Sequence, residues 1–384
     1  MHPVADQLFA SFGTGAPEAK GGGAGAVAIR LPDGRQRVYG EGQPSGTLVV
    51  RDSRGLAALA SRDELSTGEA YLDGALEVEG DFPAVLALRA SFTDRHPLAK
   101  TLRFVRPLLR GQVAADHASV SPHYERDHDF WLSFLDRRHR CYSHGLFEHA
   151  EEALEDAVTR KLELALQSVN AQPGDRVLDV GGGWGAMTEF AGRRGVQVTS
   201  LTISLASRDF LRELIAGEAL PCRVLLEHFY QHRSKEPYDA IVNLGVTEHL
   251  PDYPRTLRHY GTLLKPGGRI YLDAAASRVK DAVSTFTEKY IWRGNGSYLC
   301  LHDYVRAVAQ SSFEAEMVVN DRASYALTAT HWARNLEAAR AQIEGRWGAR
   351  LYRLFRLYLW SSAVAFETGG LQAYHMVLRR SETA

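Results

Sequence analysis

Arg176-Val-Leu-Asp-Val-Gly-Gly-Gly-Trp-Gly-Ala-Met-Thr-Glu-Phe190 combines a short apolar run, a glycine-rich turn and the start of a helical pattern. Val177 to Val180 has the β-branched, apolar character of a strand that is buried on both faces of a parallel sheet. The glycines that follow carry no Cβ to block a positive φ or to keep a ligand from the backbone. The run therefore predicts a strand-turn-helix unit that brings backbone close to a nucleotide-like ligand.

The glycine spacing separates the kinds of ligand. Gly181, Gly183 and Gly185 form G-x-G-x-G, whereas a dinucleotide fingerprint needs G-x-G-x-x-G and a phosphate-binding loop needs a lysine. A phosphate ligand is therefore not favoured. From spacing alone, a tight turn that binds no ligand stays open as the alternative.

Composition excludes several classes of protein. The 384 residues can form one large or two ordinary domains with a substantial core. A net charge of -1 argues against a nucleic-acid binder that works through a basic field. The three cysteines are widely spaced without a CxxC pair, which fits a reduced, cytosolic setting and argues against structural zinc.

The sequence predicts no membrane-spanning segment. Residues 1–26 are rich in glycine and alanine, which indicates a flexible segment without the cationic start and apolar core of a signal peptide. No apolar run reaches the length of about 18 residues that a spanning helix needs. The basic, amphipathic stretch 100–110 fits either a helix on an anionic membrane surface or a solvated helix between two domains.

Strands and helices alternate in the larger part of the chain. Residues 27–38 read as a hairpin, and helices are expected around Gly55, around Gly68, over 82–91 and over 151–169. Further strands are expected at 176–180, 196–201, 222–226, 238–244 and 268–274. This alternation predicts a mostly parallel, doubly wound sheet. Ligands bind at the carboxyl ends of such strands, where the sequence places Asp179, Thr202, Ser204, Glu248 and Asp273.

A series of ordered motifs resembles the cyclopropane fatty acid synthases. D-x-G-x-G-x-G is similar to motif I of S-adenosylmethionine-dependent methyltransferases. The other motifs are Pro122-His-Tyr-Glu-Arg-Asp-His-Asp-Phe-Trp131, Tyr142-Ser-His-Gly145, Val198-Thr-Ser-Leu-Thr-Ile-Ser204, Gly245-Val-Thr-Glu-His249, Leu264-Lys-Pro-Gly267, Lys289-Tyr-Ile291 and Gly68-Glu-Ala-Tyr-Leu-Asp-Gly74. The resemblance covers residues 50 to 378.

The resemblance implies the fold and its division into parts. It implies an α/β, Rossmann-like class I methyltransferase sheet with helices on both faces, together with a smaller N-terminal α+β lipid-binding domain. The expected divisions are a flexible N-terminus over 1–26, the lipid-binding domain and linker over 27–118, and the methyltransferase domain over 119–384.

The implied reaction is methyl transfer from S-adenosylmethionine to a cis double bond in a phospholipid acyl chain. Loss of a proton from the new methyl group would close a cyclopropane, and loss from a neighbouring carbon would give a methylene or methyl branch. Two other functions stay open: a C-methyltransferase for a furan fatty acid or soluble natural product, and a non-catalytic homologue that binds lipid or cofactor.

The family's cofactor residues carry over to positions along the whole catalytic part. Tyr124 could equally be an ordinary half-buried aromatic, and Thr202 and Ser204 could simply cap the next helix. The position on the adenine side has His228 where the family tends to have Asp. The resemblance assigns the cofactor to Tyr124, Tyr142, Ser143, Asp179, Gly181, Gly183, Thr202, Ser204, Glu227 and His228.

The proton-removal site departs from the family pattern. There a bicarbonate held by Cys, Glu, His and Tyr serves as base; Glu248 and Tyr325 match, but the Cys position is His144 and the His position is Asp273. A second carboxylate makes a bound anion less favourable. We therefore expect Asp273, through His144, to take the proton itself. The alternative is that Asp273 is a hydrogen-bonded strand-end acid and His144 a spacer.

The resemblance also implies partners and location. Expected partners are unsaturated phospholipid acyl chains at the membrane surface, a second copy in a homodimer and, for a branched product, a flavin-dependent reductase. The expected location is cytoplasmic, peripheral to the inner face of the membrane, with no nucleic acid and no metal. Tyr290 and Trp292 fit an acyl tunnel or ordinary core, and Arg350, Arg353 and Arg356 fit a solvated helix face.

Overall fold

The computed structural model describes residues 9, 25–94, 113, 127–280, 283–292 and 296–382. Tyr124, the basic stretch 100–110 and most of the N-terminal stretch 1–26 lie outside the described residues. The predicted divisions at 26 and 118 stay predictions.

The described helices and strands alternate along most of the chain. The first part contains β1 (Val27–Arg30), β2 (Gln36–Tyr39), β3 (Gly46–Val50), α1 (Ser53–Ser61), α2 (Glu64–Leu72), β4 (Leu76–Gly80) and α3 (Phe82–Leu86). The second part contains α4 (His128–Leu132), α5 (Leu154–Ser168), β5 (Arg176–Val180), α6 (Ala186–Gly192), β6 (Gln197–Thr202), α7 (Leu205–Gly217), β7 (Arg223–Leu226), β8 (Tyr238–Leu244), α8 (Tyr253–Leu263), β9 (Leu264–Ala276), α9 (Thr285–Tyr290), α10 (Leu301–Ala309), β10 (Phe313–Asn320), α11 (Arg322–Ala338), α12 (Arg340–Trp347), α13 (Ala349–Glu367) and β11 (Gln372–Arg380).

The small sheet has the order β2-β1-β3-β4. The predicted hairpin is confirmed, because β1 and β2 pair antiparallel around a turn in which Gly34 has φ +85°. The helices expected around Gly55 and Gly68 are α1 and α2, and the run 82–91 is α3 followed by a 3₁₀ helix at Ala87–Ser91. Strands β3 and β4 were not expected from the sequence.

The large sheet has the order β10-β11-β9-β8-β5-β6-β7. The five strands from β9 to β7 are parallel, whereas β11 pairs antiparallel with β9 and β10 antiparallel with β11. The predicted doubly wound sheet is therefore confirmed. The antiparallel extension is an addition that the sequence analysis did not predict.

Helices cover both faces of the large sheet. Successive residues of β5 face opposite sides: Val177 belongs to a core cluster with α5 and α6, and Leu178 to a second cluster with α8 and α10. This explains why the strand reads as continuously apolar. No described helix has the length and apolar character required to cross a membrane.

Helix α13 joins the two parts of the molecule by packing on α2 and α3. Arg353 forms an ion pair with Glu77 and donates to the carbonyl oxygen of Tyr71 at 3.2 Å, and Arg350 pairs with Asp73. A solvated helix face, the alternative for these arginines, therefore does not describe Arg353, which is mostly buried, whereas Arg350 is exposed. Arg356 pairs with Glu337 at 2.7 Å, and its guanidinium lies 4.3 Å from the centroid of the Phe82 ring.

Candidate active site

The glycine turn after β5 has the backbone that its sequence predicts. Gly181, Gly183 and Gly185 have φ values of +89°, +50° and +87°. The amides of Gly181 and Gly182 both donate to the carbonyl of Leu201, at 3.0 and 2.8 Å, which fixes the turn against β6. A Cβ on Gly181 would lie 2.3 Å from Cγ2 of Val246. Glycine is therefore required there by conformation and by space.

Asp179 is buried inside β5 and held by neutral partners. Its Oδ2 accepts from the hydroxyls of Ser200 at 3.0 Å and Thr188 at 3.4 Å. Burial raises the pKa of Asp179 to about 6, and the two hydroxyls oppose that rise. Its burial is thus accompanied by the hydrogen bonds that such a group requires.

A cavity of about 150 Å³ lies at the carboxyl ends of β5, β6 and β7. Every predicted cofactor residue that the structure describes lines this cavity. These residues are Tyr142, Ser143, Asp179, Gly181, Gly183, Thr202, Ser204, Glu227 and His228. The fold therefore brings them together, as the rule for the carboxyl ends of parallel strands requires.

Two of these residues also have structural roles. Ser204 caps α7 by accepting from the amide of Ser207 at 3.2 Å, and Thr202 Oγ1 accepts from the amide of Ser204 at 3.2 Å. Ser207 donates from its hydroxyl to the carbonyl oxygen of Gly183 at 2.6 Å. It therefore ties α7 to the glycine turn.

The adenine-side residues lie after β7. Nδ1 of His228 accepts from the amide of Tyr230 at 3.1 Å and so caps the 3₁₀ helix Phe229–Gln231. Glu227 Oε2 lies 2.9 Å from Nδ1 of His232. Both side chains are oriented by their neighbours at the wall of the cavity.

We call the cavity at the carboxyl ends of β5, β6 and β7 the cofactor cavity, after the residues predicted to bind the cofactor. A second pocket, of about 40 Å³, adjoins the cofactor cavity. We call it the base pocket; Glu248 and Tyr325 line it. Tyr142, Gly245 and His249 line both the base pocket and the cofactor cavity. The two spaces therefore share a wall.

Glu248 presents a free carboxylate oxygen in the base pocket. Its Oε1 accepts from the amide of Ala275 at 2.7 Å, and its buried Oε2 has no hydrogen-bond partner among the residues that the structure describes. Burial raises the pKa of Glu248 to about 8, and the nearby charge of Asp273 adds to the rise. A carboxyl group with such a pKa can exchange a proton near neutral pH.

Asp273 lies on β9, and among the described residues it is not part of the lining of the base pocket. Its Oδ2 accepts from the hydroxyl of Ser143 at 3.3 Å and lies 3.4 Å from Nζ of Lys161. Lys161, on α5, is completely buried. The sequence analysis did not identify this lysine, although it lies on the same helix stripe as the buried Ala157 and Ala165.

His144 has a different carboxylate partner from the one that the sequence suggested. Its Nε2 lies 3.1 Å from Oδ2 of Asp321, which also lies 2.7 Å from Nδ1 of His375. The expected relay from Asp273 through His144 was therefore wrong in its pairing. The cause is the antiparallel strand β11, which brings His375 beside the start of α11.

Tyr325 is held by ring stacking. Its ring lies 4.8 Å from that of His144 and 4.2 Å from that of Phe366, centroid to centroid. Trp292 lines the base pocket, as the tunnel interpretation required. Tyr290 instead donates from its hydroxyl to Glu69 at 2.7 Å, at the contact with α2.

Residues 112–376 match the family described as mycolic acid cyclopropane synthetase. The chain belongs to this family. A second match, over residues 23–95, is to a domain of unknown function. As a member of the cyclopropane synthetase family, the protein is an S-adenosylmethionine-dependent methyltransferase, which confirms the predicted enzyme class.

Relatives of the cyclopropane synthetase family cover most of the chain. A probable fatty acid methyltransferase of Mycobacterium tuberculosis is 27% identical over 376 residues, 88% of this chain and 88% of the relative. The cyclopropane-fatty-acyl-phospholipid synthase of Escherichia coli is 30% identical over 329 residues, 82% of this chain and 83% of the relative. A crystal structure of a mycolic acid cyclopropane synthase complexed with SAH and CTAB has a TM-score of 0.64 at 26% identity, covering 69% of this chain and 98% of that chain.

Proposed function

We propose that this protein transfers a methyl group from S-adenosylmethionine to a carbon of a cis double bond in an unsaturated acyl chain of a membrane phospholipid. Proton loss then gives a cyclopropane or a methylene- or methyl-branched chain. The shared wall of the cofactor cavity and the base pocket, formed by Tyr142, Gly245 and His249, carries this proposal. A methyl donor in the cavity and an acyl acceptor in the pocket would lie next to each other at these shared residues.

The cofactor has a fitting cradle in the cavity beside the glycine turn, where a Cβ on Gly181 would meet Val246. S-adenosylmethionine, when bound, supplies an electrophilic methyl group on a sulfonium. The chain's own residues would orient it. In this proposal Asp179, Gly181 and Gly183 hold the methionine end, Thr202 and Ser204 the ribose, Glu227 and His228 the adenine side, and Tyr124, Tyr142 and Ser143 close over the ligand.

An apolar cleft of about 350 Å³ supports an acyl substrate. We call it the acyl cleft; it lies between the small sheet with its helices and α13, and Leu76, Val85 and Leu357 are among its lining residues. It shares Tyr298, Tyr358, Ser362 and Leu371 with the base pocket. Burying each methylene group there would contribute about 0.8 kcal/mol. A mostly apolar lining of this kind favours a fatty acyl chain over a soluble polar substrate.

Aromatic rings in the base pocket suit a positively charged intermediate. The alkene carbon that does not receive the methyl group becomes electron-deficient, and aromatic faces stabilise a nearby cation. Trp292, Tyr298, Tyr325 and Trp332 all line the pocket.

The two carboxyl groups near the base pocket, Glu248 and Asp273, do not favour a bound bicarbonate. An anion would need hydrogen-bond donors, but the amide of Ala275 already donates to Glu248 Oε1. The neighbouring Asp273 adds a second carboxylate, and Ser143 and Lys161 face that carboxylate. Like charges at such short range oppose anion binding. We therefore propose that a carboxylate of the chain itself replaces this base.

We further propose peripheral association with the inner face of the cytoplasmic membrane and a homodimer. A flavin-dependent reductase partner is proposed for the case of a methyl-branched product. The acyl cleft supports the membrane association, because a phospholipid acyl chain has to be drawn from a bilayer. The family resemblance supports the homodimer and the reductase.

Expression in a host with unsaturated phospholipids tests the proposal. We expect acyl chains heavier by one methylene unit, measured by lipid mass spectrometry, and no such chains with the Gly181→Val variant. The matched control is Gly174→Val, at a glycine of similar φ, +92°, that has no neighbour within 4 Å of its Cβ position. Unchanged lipids with a wild-type protein that binds S-adenosylhomocysteine would contradict the proposal.

A further inference from the structure

Lys161 is a buried cation in the middle of the catalytic part. Its Nζ donates to Oγ of Ser143 at 2.6 Å and to Sγ of Cys141 at 3.1 Å, and lies 3.4 Å from Oδ2 of Asp273. The side chain of Lys161 is 0% exposed and that of Asp273 is 1% exposed. An ammonium without water is tolerated in a protein only when it is paired. Asp273 is the carboxylate that provides this pairing.

Ser143 connects this ion pair to the cofactor cavity. Its hydroxyl accepts from Lys161 and donates to Asp273, while the residue itself lines the cavity. Lys161, Ser143 and Asp273 therefore form a triangle behind the cavity wall. Ser143 Oγ cannot donate to a second group while it donates to Asp273.

Glu248 is the other buried carboxyl group of the site, and it faces the base pocket. The titratable groups around it among the described residues are Tyr142 before α5, His249 beside it, Asp273 on β9, Tyr298 before α10, Tyr325 on α11 and Tyr358 on α13. Tyr325 in turn stacks on His144. Each carboxyl group has one oxygen without a hydrogen-bond partner among the described residues, Glu248 Oε2 and Asp273 Oδ1. Glu248 lines the base pocket, whereas Asp273 is not part of its described lining and has its Oδ2 engaged by Ser143 and Lys161.

We infer that Lys161 is a positioning residue for the proton-removal step: its ion pair with Asp273 fixes that carboxylate as a spectator anion and leaves Glu248 Oε2 to accept the proton. This inference rests on the proposed function. Lys161 acts through Asp273, because it partly cancels a negative charge that would otherwise oppose ionisation of Glu248.

The step balances in atoms and electrons. A C–H bond of the added methyl group breaks, and its electron pair forms the C–C bond to the electron-deficient carbon, which closes the ring. The proton moves to Glu248 Oε2, and the carboxylate becomes a neutral acid. For a methyl-branched product the broken C–H bond belongs to a chain carbon next to the electron-deficient carbon, and its electron pair forms a double bond within the chain. Glu248 must then lose its proton to solvent before the next turnover.

The pH dependence of turnover on unsaturated phospholipid vesicles tests the inference. The rate should rise with pH as Glu248 ionises. We call this rise the acid limb of the pH profile. In Lys161→Met the negative charge of Asp273 is uncompensated, so the acid limb should shift to higher pH, and the rate at a pH below the limb should fall about tenfold. In Asp273→Asn the positive charge of Lys161 remains without its partner, so the acid limb should shift to lower pH. The double variant should fall between these limits.

Lys265→Met is the matched control, because it removes a lysine from a partly exposed pair with Asp239. Its acid limb should coincide with that of the wild type. Opposite shifts in Lys161→Met and Asp273→Asn support the inference, since loss of packing alone would not move the limb in two directions. An unmoved limb in Lys161→Met, or a shift of both variants in the same direction, overturns it.

A readout without turnover keeps the inference separate from the proposed function. The pH dependence of thermal stability, compared with that of the corresponding Glu248→Gln variant, reports the pKa of Glu248 in each background. Wild-type protein without lipid turnover would defeat the proposed function, while this measurement would still show whether Lys161 controls Glu248. If Lys161→Met does not fold, Asp273→Asn and the double variant provide the test. A pKa of Glu248 in the Asp273→Asn variant that is equal to or above its value in the wild type overturns the inference.

Discussion

Glu248 combines two features in one carboxyl group that lines an aromatic pocket. One oxygen is fixed by the amide of Ala275 at 2.7 Å, and the other is buried without a partner in the described part of the chain. A buried group of this kind costs stability when it is charged, and proteins retain such groups mostly at functional sites. Single residues of the site can therefore be tested through stability as well as activity.

Stability should fall as pH rises through the range in which Glu248 titrates. The pKa of Glu248 is raised from 4.5 to about 8, so the folded state keeps a proton that the unfolded state has lost. The contribution is fully present below pH 4.5 and is lost as pH rises to about 8, with a total of roughly 3 to 5 kcal/mol. Thermal unfolding between pH 4.5 and 8.5 measures it. Glu248→Gln should flatten this dependence, and an equal slope in the variant would contradict the assignment.

Gly181→Ala should abolish cofactor binding. The new Cβ would lie 2.3 Å from Val246 at a φ of +89°, and strain with overpacking should cost roughly 2 to 5 kcal/mol. Gly174→Ala, at φ +92° with open space around it, should cost only about 1 to 2 kcal/mol and leave binding unchanged. Calorimetric titration with S-adenosylhomocysteine and chemical unfolding measure both effects. Equal affinities of the two variants would show that the turn does not form the cradle.

At the scale of elements, α13 is central because it contacts both parts of the molecule. One side of it contributes Leu357 and Tyr358 to the acyl cleft, and Arg353 reaches Glu77 and the carbonyl oxygen of Tyr71. The ion pair is mostly buried, with side-chain exposures of 15% and 22%. The position of α13 therefore depends on charge pairs as well as apolar packing.

Arg353→Met should loosen this docking. Losing the partly buried pair and leaving Glu77 without its cation should cost about 1 to 3 kcal/mol. Arg340→Met removes an i,i+4 pair with Glu344, in which the arginine is 55% exposed, and should change stability by no more than about 0.5 kcal/mol. Urea unfolding followed by tryptophan fluorescence compares them. Equal losses would show that Arg353 contributes no more than a surface charge.

Local patterns in the sequence predicted the elements that build the cofactor cavity. The strand expected at 196–201 is observed at Gln197–Thr202, and the glycine turn follows β5 as its spacing requires. These features depend on short-range rules for strands and turns. Asp179, Thr202 and Ser204 could therefore be placed at the strand ends before the structure, whereas Tyr142, Ser143, Glu227 and His228 came from the family resemblance.

Contacts between distant segments could not be predicted in the same way. His144 and Asp321 are 177 positions apart, and they meet only because β10 and β11 extend the sheet antiparallel. Lys161 was missed because lysine is almost never fully buried. Its place between Ala157 and Ala165 on one helix stripe was the available signal, and it required knowing that this stripe faces the core.

At the scale of the whole molecule, the acyl cleft, the base pocket and the cofactor cavity lie in sequence, with shared residues at each junction. The first lies between the N-terminal part and α13, and the last lies at the glycine turn. The two parts of the chain would thus contribute to one reaction path. A substitution that blocks the acyl cleft should therefore affect the lipid substrate and not the binding of the cofactor.

Ser361→Trp should block the acyl cleft without affecting the cofactor. Ser361 lines the cleft but neither the base pocket nor the cofactor cavity. An indole there should lower turnover of phospholipid at least about tenfold, since a small misplacement of the acceptor is costly, while affinity for S-adenosylhomocysteine stays the same. Ala349→Trp, at the exposed start of α13, is the control with the same added side chain. Normal lipid turnover in Ser361→Trp would place the substrate elsewhere.

Transfer of a deuterated methyl group tests the whole account most directly. Purified protein is incubated with S-adenosylmethionine carrying a trideuterated methyl group and with unsaturated phospholipid vesicles, and acyl chains are examined by mass spectrometry. We predict label in the acyl chain at the former double bond, with two deuterium atoms retained for a ring and three for a branch at a carbon that keeps its methyl group. Acyl chains without label, or label confined to the head group, would contradict it.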